Sequence, residues 1–401
     1  MDASDTPQAL SDLVVLDLSR ILAGPTATQL LGDLGATVIK VENPKTGGDD
    51  TRSWGPNYAP DADGSDSDLS AYFMAANRNK RSISVDLSTG DGQHIVKTLA
   101  ARADVLIENY KPGGLCKYGL DHKTLCAEHP GLVYCSISGF GQTGPNRDKP
   151  GYDLMAQGYG GIMSLTGEPE GMPMKVGVGI ADVMCGMYAA VGILAALRHR
   201  DATGEGQHID LALVDAQMAW LINEGTNYLT SGKRPLRRGN AHPNIVPYEA
   251  FECTDGHVLL AVGNDAQFTR FCDAVGLGDL AQDERYKSNP ARIANRGSLI
   301  PHIASALRVF TTSDVLSRMH DVKVPAGPIH AVDEALGSDQ AVARGMVQDV
   351  SAPGTENGCV RLLGNPLNLS RTPVQYRFAP PRFGQHTETV LNDFGIEPGK
   401  A

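Results

Sequence analysis

Apolar and polar positions along the first 140 residues switch between a strand-like and a helix-like period. The stretch 14–42 shows this order most clearly. An apolar run, Val14–Leu16, leads through a turn of small residues to a helix-like stretch, Thr26–Leu34, and Gly35 separates that stretch from a second apolar run ending at Glu42. This order is that of one βαβ unit. Further strand-like runs at 82–86, 105–108 and 133–138, with a helical stretch near 90–102, predict a parallel, doubly wound sheet.

The first turn of this unit, residues 20–25, is predicted to lie at the carboxyl end of a strand, where open α/β sheets bind their ligands. The turn lacks G-x-G-x-x-G, and the sequence contains no Walker, H-E-x-x-H or G-x-S-x-G motif. The sequence therefore predicts a ligand site that does not use the usual dinucleotide or triphosphate motifs.

The pattern changes along the rest of the chain. We expect the glycine-rich passage 158–179 to be a loop over a site, and residues 182–199 to be a long helix with Met184, Met187, Val191 and Leu194 on one face. The stretch 246–310, with an Asp-Gly hairpin signal, predicts a smaller second domain. The expected organisation is a large domain over 1–225, a linker and small domain over 226–323, and a return to the large domain over 324–401.

Composition narrows the class of protein. The chain has 401 residues, 41% hydrophobic and 20% charged, which is typical of a soluble globular protein. A formal net charge of −11 disfavours nucleic acid and anionic membrane as partners. We expect no membrane-spanning stretch and no signal or transit peptide. The seven cysteines show no C-x-x-C spacing and the histidines no metal spacing, which favours a cytoplasmic enzyme with reduced thiols and no metal.

One carboxylate stands out as a candidate for chemistry. Asp182 follows the apolar run Val176–Ala181, lies in the first turn or at the N-cap of the predicted helix, and has Gly186 on the same face. Taken alone, this pattern favours a helix cap. The functional interpretation is a carboxylate held ionised by the helix N-terminus, with room beside Gly186 for a substrate.

Six blocks resemble, in order, the class III CoA-transferases, a family that includes formyl-CoA transferase and carnitine CoA-transferase. The resemblance runs from about residue 12 to about residue 395. The blocks are DLSRILAGPTATQLLGDLGATVIKVENP, NRNKRSISVDL, IENYKPGGL, YCSISGFGQTGP, PGYDLMAQ and VGVGIADVMCGMYAAVGILAAL. Three further blocks are most similar to succinate–hydroxymethylglutarate and other bacterial dicarboxylate CoA-transferases: GDDTRSWGP, GNAHPNIVPYEAF and GNDAQF.

The resemblance implies a fold, an assembly and a reaction. The implied fold is a Rossmann-like large domain, with a parallel sheet built from both chain ends, plus a small α+β domain, in an interlocked homodimer. The implied reaction moves CoA from an acyl-CoA donor, succinyl-CoA, to a C4–C6 dicarboxylate through an aspartyl-CoA thioester on Asp182. CoA is then substrate and product, and no prosthetic group is implied.

The resemblance also implies binding residues. The CoA contacts carry over to Ile21, Leu22, Ala23, Asn43, Val85, Asn109, Tyr110 and Lys117. Candidates for binding the acceptor acid are Arg52, Arg78, Tyr152, Arg238 and His242. Formyl-CoA transferase has a glutamine at the position of Leu22 and a run of glycines at 238–242, and the second departure disfavours a formyl or oxalyl substrate here.

Two other functions stay open at this point. An α-methylacyl-CoA racemase-like isomerase needs a histidine at the position of Tyr152, and tyrosine, with a pKa near 10, is a poor base at neutral pH. A non-catalytic CoA-binding protein is expected to lack the nucleophile, which this chain retains as Asp182.

Overall fold

The computed structural model describes residues 7–397, which form thirteen strands and sixteen α-helices. The strands are β1 Val14–Asp17, β2 Thr37–Glu42, β3 Tyr58–Pro60, β4 Asp66–Ser70, β5 Lys80–Ser84, β6 Val105–Glu108, β7 Val133–Ser138, β8 His208–Ala212, β9 Tyr248–Cys253, β10 Gly256–Ala261, β11 Ala326–Pro328, β12 Val347–Ser351 and β13 Cys359–Leu363. The helices are α1 Ala23–Asp33, α2 Ala71–Met74, α3 Gly90–Ala100, α4 His122–Glu128, α5 Asp153–Tyr159, α6 Ile180–Thr203, α7 Leu213–Ala219, α8 Ile222–Ser231, α9 Asp265–Ala274, α10 Gly278–Gln282, α11 Asn289–Ala294, α12 Arg296–Leu307, α13 Thr312–Asp321, α14 Val332–Gly337, α15 Asp339–Ala343 and α16 Thr387–Asp393.

Six of these strands form one parallel sheet in the order β5-β2-β1-β6-β7-β8. Counted along the chain, this is the order 3-2-1-4-5-6 of the doubly wound fold, and the order reverses between β1 and β6. The α/β fold with a large parallel sheet is therefore confirmed. Its strands all come from residues 14–212, so the expectation that both chain ends build the sheet is wrong.

The sheet carries an apolar core on each face. On one face α1 and α6 pack against Val15, Val105 and Ile107. On the other, α3, α4 and α16 cover Leu16 and Leu106. The C-terminal segment covers the edge strand β5, where the backbone N–H of His386 donates to the carbonyl of Ser82, and adds the β12–β13 hairpin.

The described residues divide into two compact units. The first comprises the described residues through Met163, Lys175–Lys233 and those from Asp339 onward; the second comprises Ser164–Met174 and Arg234–Ser338. The second unit contains a three-stranded antiparallel sheet, β11-β10-β9, which shares its own apolar core with α9, α10, α12 and α13. The units differ from the expected boundaries at 226 and 324, because β11 pairs with β10 and keeps the chain in the second unit up to Ser338.

The helix α6 is longer than the predicted 182–199. By length and composition alone, α6 could cross a membrane, so the expectation that no apolar stretch approaches membrane-spanning length is wrong. More than half of the apolar part of α6 is, however, buried within the protein. Its packing against α1 and the sheet is that of a core helix. Of the face predicted from the sequence, Met184 is buried, whereas Met187, Val191 and Leu194 are exposed.

Candidate active site

A cleft of about 380 Å³ opens at the carboxyl ends of β1 and β6, where the strand order reverses. Its walls come from the turn 20–23 after β1, from residues 109–118 after β6, from 137–139 and 149–152, and from Asp182 on α6. A second cavity of about 130 Å³ shares Tyr110 and Tyr118 with the cleft. Open doubly wound sheets bind their ligands at this reversal point, so the two cavities form the candidate site.

The residues expected to contact CoA gather in these two cavities. Asn43 and Val85 line the smaller cavity together with Tyr110. The others line the large cleft: Ile21, Leu22, Ala23, Asn109, Tyr110 and Lys117. The structure therefore brings together segments that lie far apart in the sequence, and the contacts of each residue with CoA stay a prediction.

Asp182 is the third residue of α6, and only 8% of it is exposed. Burial, and secondarily the negative charge of Asp153, raises the pKa of Asp182 to about 7. The expectation that the helix N-terminus holds this carboxylate ionised is therefore wrong at pH values below 7. A helix terminus stabilises a charge by about 0.3–1 kcal/mol, whereas a rise of about 3 in pKa corresponds to about 4 kcal/mol, so desolvation dominates.

Asp153 is a second carboxylate beside the nucleophile candidate, and the sequence did not single it out. Its Oδ1 accepts the backbone N–H of Ala181 at 2.8 Å, and its Oδ2 accepts the side-chain amide of Gln157 at 2.7 Å. Gln157 in turn accepts the N–H of Val176 at 2.8 Å. Asp153 thus positions the start of α6. In the block PGYDLMAQ, Asp153 and Gln157 are four residues apart, which is one helical turn. This spacing is the feature of the sequence from which their contact could have been predicted.

The space beside Gly186 is occupied by protein. A Cβ placed on Gly186 lies 2.5 Å from the carbonyl oxygen of Ala23 and 2.9 Å from the Cβ of Thr26. The expectation that Gly186 leaves room for a substrate is therefore wrong. Its missing side chain lets α6 approach the β1–α1 turn closely, and this contact places the turn next to the helix that carries Asp182.

The cleft has a basic lining in an acidic protein. Four cationic side chains line it, namely those of Arg20, Lys111, Lys117 and Lys149, and Asp182 is the one carboxylate among the lining residues. Arg20 is itself paired with Asp50 at 2.6 Å. Three lysines around one cleft favour an anionic ligand such as a phosphate ester, although the whole chain is negative.

Arg52 does not line the cleft. Its guanidinium is buried, donates to Glu42 at 2.7 and 2.8 Å and to Asp68 at 2.9 Å, and lies over the ring of Phe73. These contacts occupy the planar fork that an acceptor carboxylate needs. The proposed role of Arg52 in binding the acceptor is therefore not supported.

Arg78 is likewise committed to the fold. It forms a fork with Asp33 at 2.5 and 2.9 Å, and its third nitrogen donates to the carbonyl of Leu363. It does not line the cleft either, so its role in binding the acceptor is not supported. Exposed arginines and buried, paired ones look alike in a sequence, which explains both corrections.

The other three acceptor candidates lie in different places. Tyr152 lines the cleft and is 59% exposed. Arg238 and His242 belong to the second unit, where the Nδ1 of His242 accepts the N–H of Asn244 at 3.1 Å. Within residues 7–397, no group of three His, Cys, Asp or Glu side chains is arranged to hold a metal ion.

Comparisons with known proteins identify the family and agree with this fold. The family model for CoA-transferase family III matches residues 10–387. The chain is 49% identical over 391 residues to the succinate–glutarate CoA-transferase of Agrobacterium fabrum, covering 97% of this chain and 96% of that protein. It is 38% identical over 395 residues to the succinyl-CoA:mesaconate CoA-transferase of Haloarcula hispanica, covering 98% of each.

A solved structure has the same fold as this chain. The crystal structure of a CAIB/BAIF family protein from Brucella suis superposes with a TM-score of 0.86 at 45% identity, covering 96% of this chain and 99% of that one. The α/β fold is thus that of this CAIB/BAIF family protein. The chain belongs to CoA-transferase family III and is a CoA-transferase, which confirms the resemblance seen in the sequence and disfavours the racemase and the non-catalytic alternative.

Proposed function

We propose that this protein transfers CoA from succinyl-CoA to a C4–C6 dicarboxylate, with Asp182 as the covalent nucleophile. The observation that carries the proposal is the position of Asp182 as the sole carboxylate lining a cleft whose other charged residues are cations. The names of the Agrobacterium fabrum and Haloarcula hispanica relatives support the choice of donor and acceptor.

The reaction begins when the ionised Asp182 attacks the thioester carbonyl of succinyl-CoA. The C–S bond breaks, CoA leaves as a thiolate, and a mixed succinyl–aspartyl anhydride remains. The thiolate then attacks the aspartyl carbonyl, succinate leaves, and Asp182 carries CoA as a thioester. The acceptor carboxylate repeats these two steps in reverse order, which forms the new acyl-CoA and restores Asp182.

The surroundings of Asp182 suit this chemistry. Its burial limits access of water, which would hydrolyse an anhydride. A carboxylate with a raised pKa is also a stronger nucleophile once ionised. Backbone N–H groups of Gly139 and Gly151, which line the cleft, are our candidates for stabilising the developing oxyanion.

The basic residues of the cleft are assigned to CoA in this proposal. Lys111, Lys117 and Lys149 provide charges for its phosphates, and the smaller cavity beside Asn43 and Tyr110 takes the adenosine end. Tyr152, which lines the cleft, is our candidate for contacting the acceptor there. Arg238 and His242 stay candidates for the second carboxylate of the acceptor.

We further propose an interlocked homodimer in the cytoplasm. The exposed apolar face of α6, formed by Met187, Tyr188, Val191 and Leu194, supports burial against a second copy. Seven free cysteines support a reducing compartment. Light scattering at decreasing concentration tests the assembly: an interlocked dimer does not dissociate without unfolding, so a stable folded monomer contradicts it.

The activity is tested with succinyl-CoA and a panel of acids, with acyl-CoA products read by mass spectrometry. We expect glutarate, mesaconate and other C4–C6 diacids to accept CoA far better than acetate, formate, oxalate or carnitine. Equal rates for acetate and glutarate overturn recognition of a second carboxylate. The Asp182→Asn protein is the control: exchange should fall by several orders of magnitude while CoA binding is retained. Hydroxylamine should trap the acylated wild-type enzyme at Asp182.

A further inference from the structure

The turn between β1 and α1 makes an unusual use of its backbone N–H groups. Three successive residues donate to side chains: Ser19 to Asp17 at 2.9 Å, Arg20 to Asn109 at 2.9 Å, and Ile21 to both oxygens of Asp49 at 3.2 Å. At this place in many α/β proteins the free N–H groups bind a phosphate. Here side chains occupy them, so the turn acts as a wall of the cleft.

The wall contains a strained residue. Ile21 has φ of 72°, in the left-handed region that β-branched residues rarely adopt. Such a conformation persists only where the surroundings hold it, and it is typical of functional sites. The backbone of Arg20, the residue before Ile21, is fixed as well, because its carbonyl accepts a hydrogen bond from the side-chain amide of Asn109 at 2.7 Å.

The group that holds Ile21 is anchored by a fully buried cation. Asp49 forms an ion pair with Lys40 at 2.8 Å, and neither side chain is exposed to solvent. Asp49 also accepts the N–H and the hydroxyl of Thr51 at 3.0 and 2.8 Å. Lys40 donates to the carbonyl of Ser19 at 2.9 Å, so the pair contacts the backbone of the turn at two points.

The same turn packs on the helix that carries Asp182. A Cβ on Gly179, the N-cap of α6, lies 3.0 Å from a methyl carbon of Leu22, and one on Gly186 lies 2.5 Å from the carbonyl oxygen of Ala23. These two glycines flank Asp182 along the helix. The position of the turn therefore determines the position of the cleft wall relative to the reacting carboxylate.

We propose that the Lys40–Asp49 ion pair is a positioning device for the transfer reaction, acting through the backbone of Ser19 and Ile21. Neither residue contacts CoA in this proposal. The pair holds Ile21 in its left-handed conformation and so keeps the wall at a constant distance from Asp182. The inference deepens the proposed function and depends on it, since the reaction at Asp182 is the one that the wall serves.

The test uses the double variant Lys40→Met/Asp49→Ala. It removes both charges together, which avoids leaving an unpaired buried charge, and it removes the acceptor of the Ile21 N–H. We expect kcat/KM for transfer to fall about 100-fold, because small displacements of positioning groups have effects of that size. Circular dichroism and thermal melting establish that the variant is folded.

The decisive readout is the effect of adding Ile21→Gly. Glycine adopts φ of 72° without steric cost, so it no longer needs to be held. We expect Ile21→Gly to raise kcat at least about fivefold in the double variant, and to lower it in the wild-type protein, where the Ile21 side chain lines the cleft. If the ion pair only stabilises the fold, Ile21→Gly has the same effect in both backgrounds, and the proposal is overturned.

A matched control is the buried pair formed by Arg78 and Asp33 at 2.5 Å, which makes no hydrogen bond to the turn. In Arg78→Met/Asp33→Ala, Ile21→Gly should give no recovery, and recovery there contradicts the inference. If the Lys40/Asp49 double variant does not fold, Asp49→Ala is tested in the same way, because it removes the acceptor of the Ile21 N–H while the charges of Asp17 and Glu42 still face Lys40. Absence of recovery there again overturns the proposal.

The test also separates this inference from the proposed function. CoA itself is titrated into each protein by calorimetry. If the wild-type protein transfers CoA to none of the acids, the proposed function fails. The CoA affinities of the wild type and the variants then test the positioning role. Weaker CoA binding in the double variant, with recovery on adding Ile21→Gly, supports this role, whereas equal affinities in the wild type and the double variant overturn it.

Discussion

The raised pKa of Asp182 predicts opposite effects of pH on activity and on stability. In the folded protein this pKa is about 7, against an ordinary value of 3.8. Between these values the folded protein keeps a proton that the unfolded chain has lost, so stability falls as the pH rises from about 4 to about 7. The difference of about 3 in pKa, at 1.36 kcal/mol per unit, amounts to about 4 kcal/mol.

The Asp182→Asn variant isolates this contribution because asparagine has similar shape and does not ionise. Other titrating groups, such as Glu108, whose pKa burial raises to about 7, are shared by both proteins and cancel in the comparison. We compare the free energy of unfolding of the variant with that of the wild type at each pH. Between pH 4 and pH 8.5 this difference should shift in favour of the variant by up to about 4 kcal/mol. Urea denaturation across this range measures the difference, and a difference that does not change with pH refutes the reasoning.

Activity should follow the ionised fraction of the same carboxylate. Formation of the acyl-enzyme from succinyl-CoA, measured in a single turnover, should rise about tenfold per pH unit below pH 7 and level off above it. This half-reaction contains no acceptor acid, so the titration of the acceptor does not contribute. A rate that is constant from pH 5.5 to 8.5 contradicts a nucleophile with a pKa near 7.

Three further variants test neighbouring features. Asp153→Asn keeps an acceptor for the N–H of Ala181 but removes a charge that raises the pKa of Asp182, so the midpoint of the pH–rate curve should move below 7, and an unchanged midpoint contradicts this. Gly186→Ala should cost about 1–3 kcal/mol in thermal stability because its Cβ meets the Ala23 carbonyl, whereas Gly192→Ala, whose nearest contact is 3.7 Å away, should not destabilise α6. Lys117→Ala should raise KM for the acyl-CoA with little change in kcat, and this increase in KM should become smaller at high salt concentration. Lys123→Ala, which changes an exposed lysine, is its control.

The sequence predicted best those strands that coincide with a run of mainly apolar residues. The runs at 14–16 and 38–42 became β1 and β2. Val14, Val15 and Leu16 place apolar side chains on both faces of the sheet, as Val38, Ile39 and Val41 do, although Lys40 and Glu42 interrupt the second run. The run at 82–86 was displaced, and the observed strand is Lys80–Ser84. It begins with a lysine whose side chain is fully buried, which no apolar period can mark.

The charged network beneath the cleft could not be read from the sequence for the same reason. The buried Lys80 makes an ion pair with Asp17 on β1 and is held by the side-chain amide oxygen of Asn77. Burial lowers its pKa to about 8 against the attraction of Asp17. Lys40, Arg52 and Arg78 repeat this arrangement, and in a linear sequence all four have the appearance of surface cations.

Within residues 7–397, four aspartates are almost completely buried, namely Asp17, Asp33, Asp49 and Asp182, and their partners distinguish them. The first three each form an ion pair with a lysine or arginine. Burial opposes ionisation of Asp17 and Asp49, yet the attraction of their lysines lowers both pKa values. For Asp182, burial raises the pKa and the neighbouring charge is another carboxylate. A buried carboxylate without such compensation costs stability, so the position of Asp182 beside a basic cleft supports its proposed role in the chemistry, whereas the ion pairs of the other three aspartates fit a structural role.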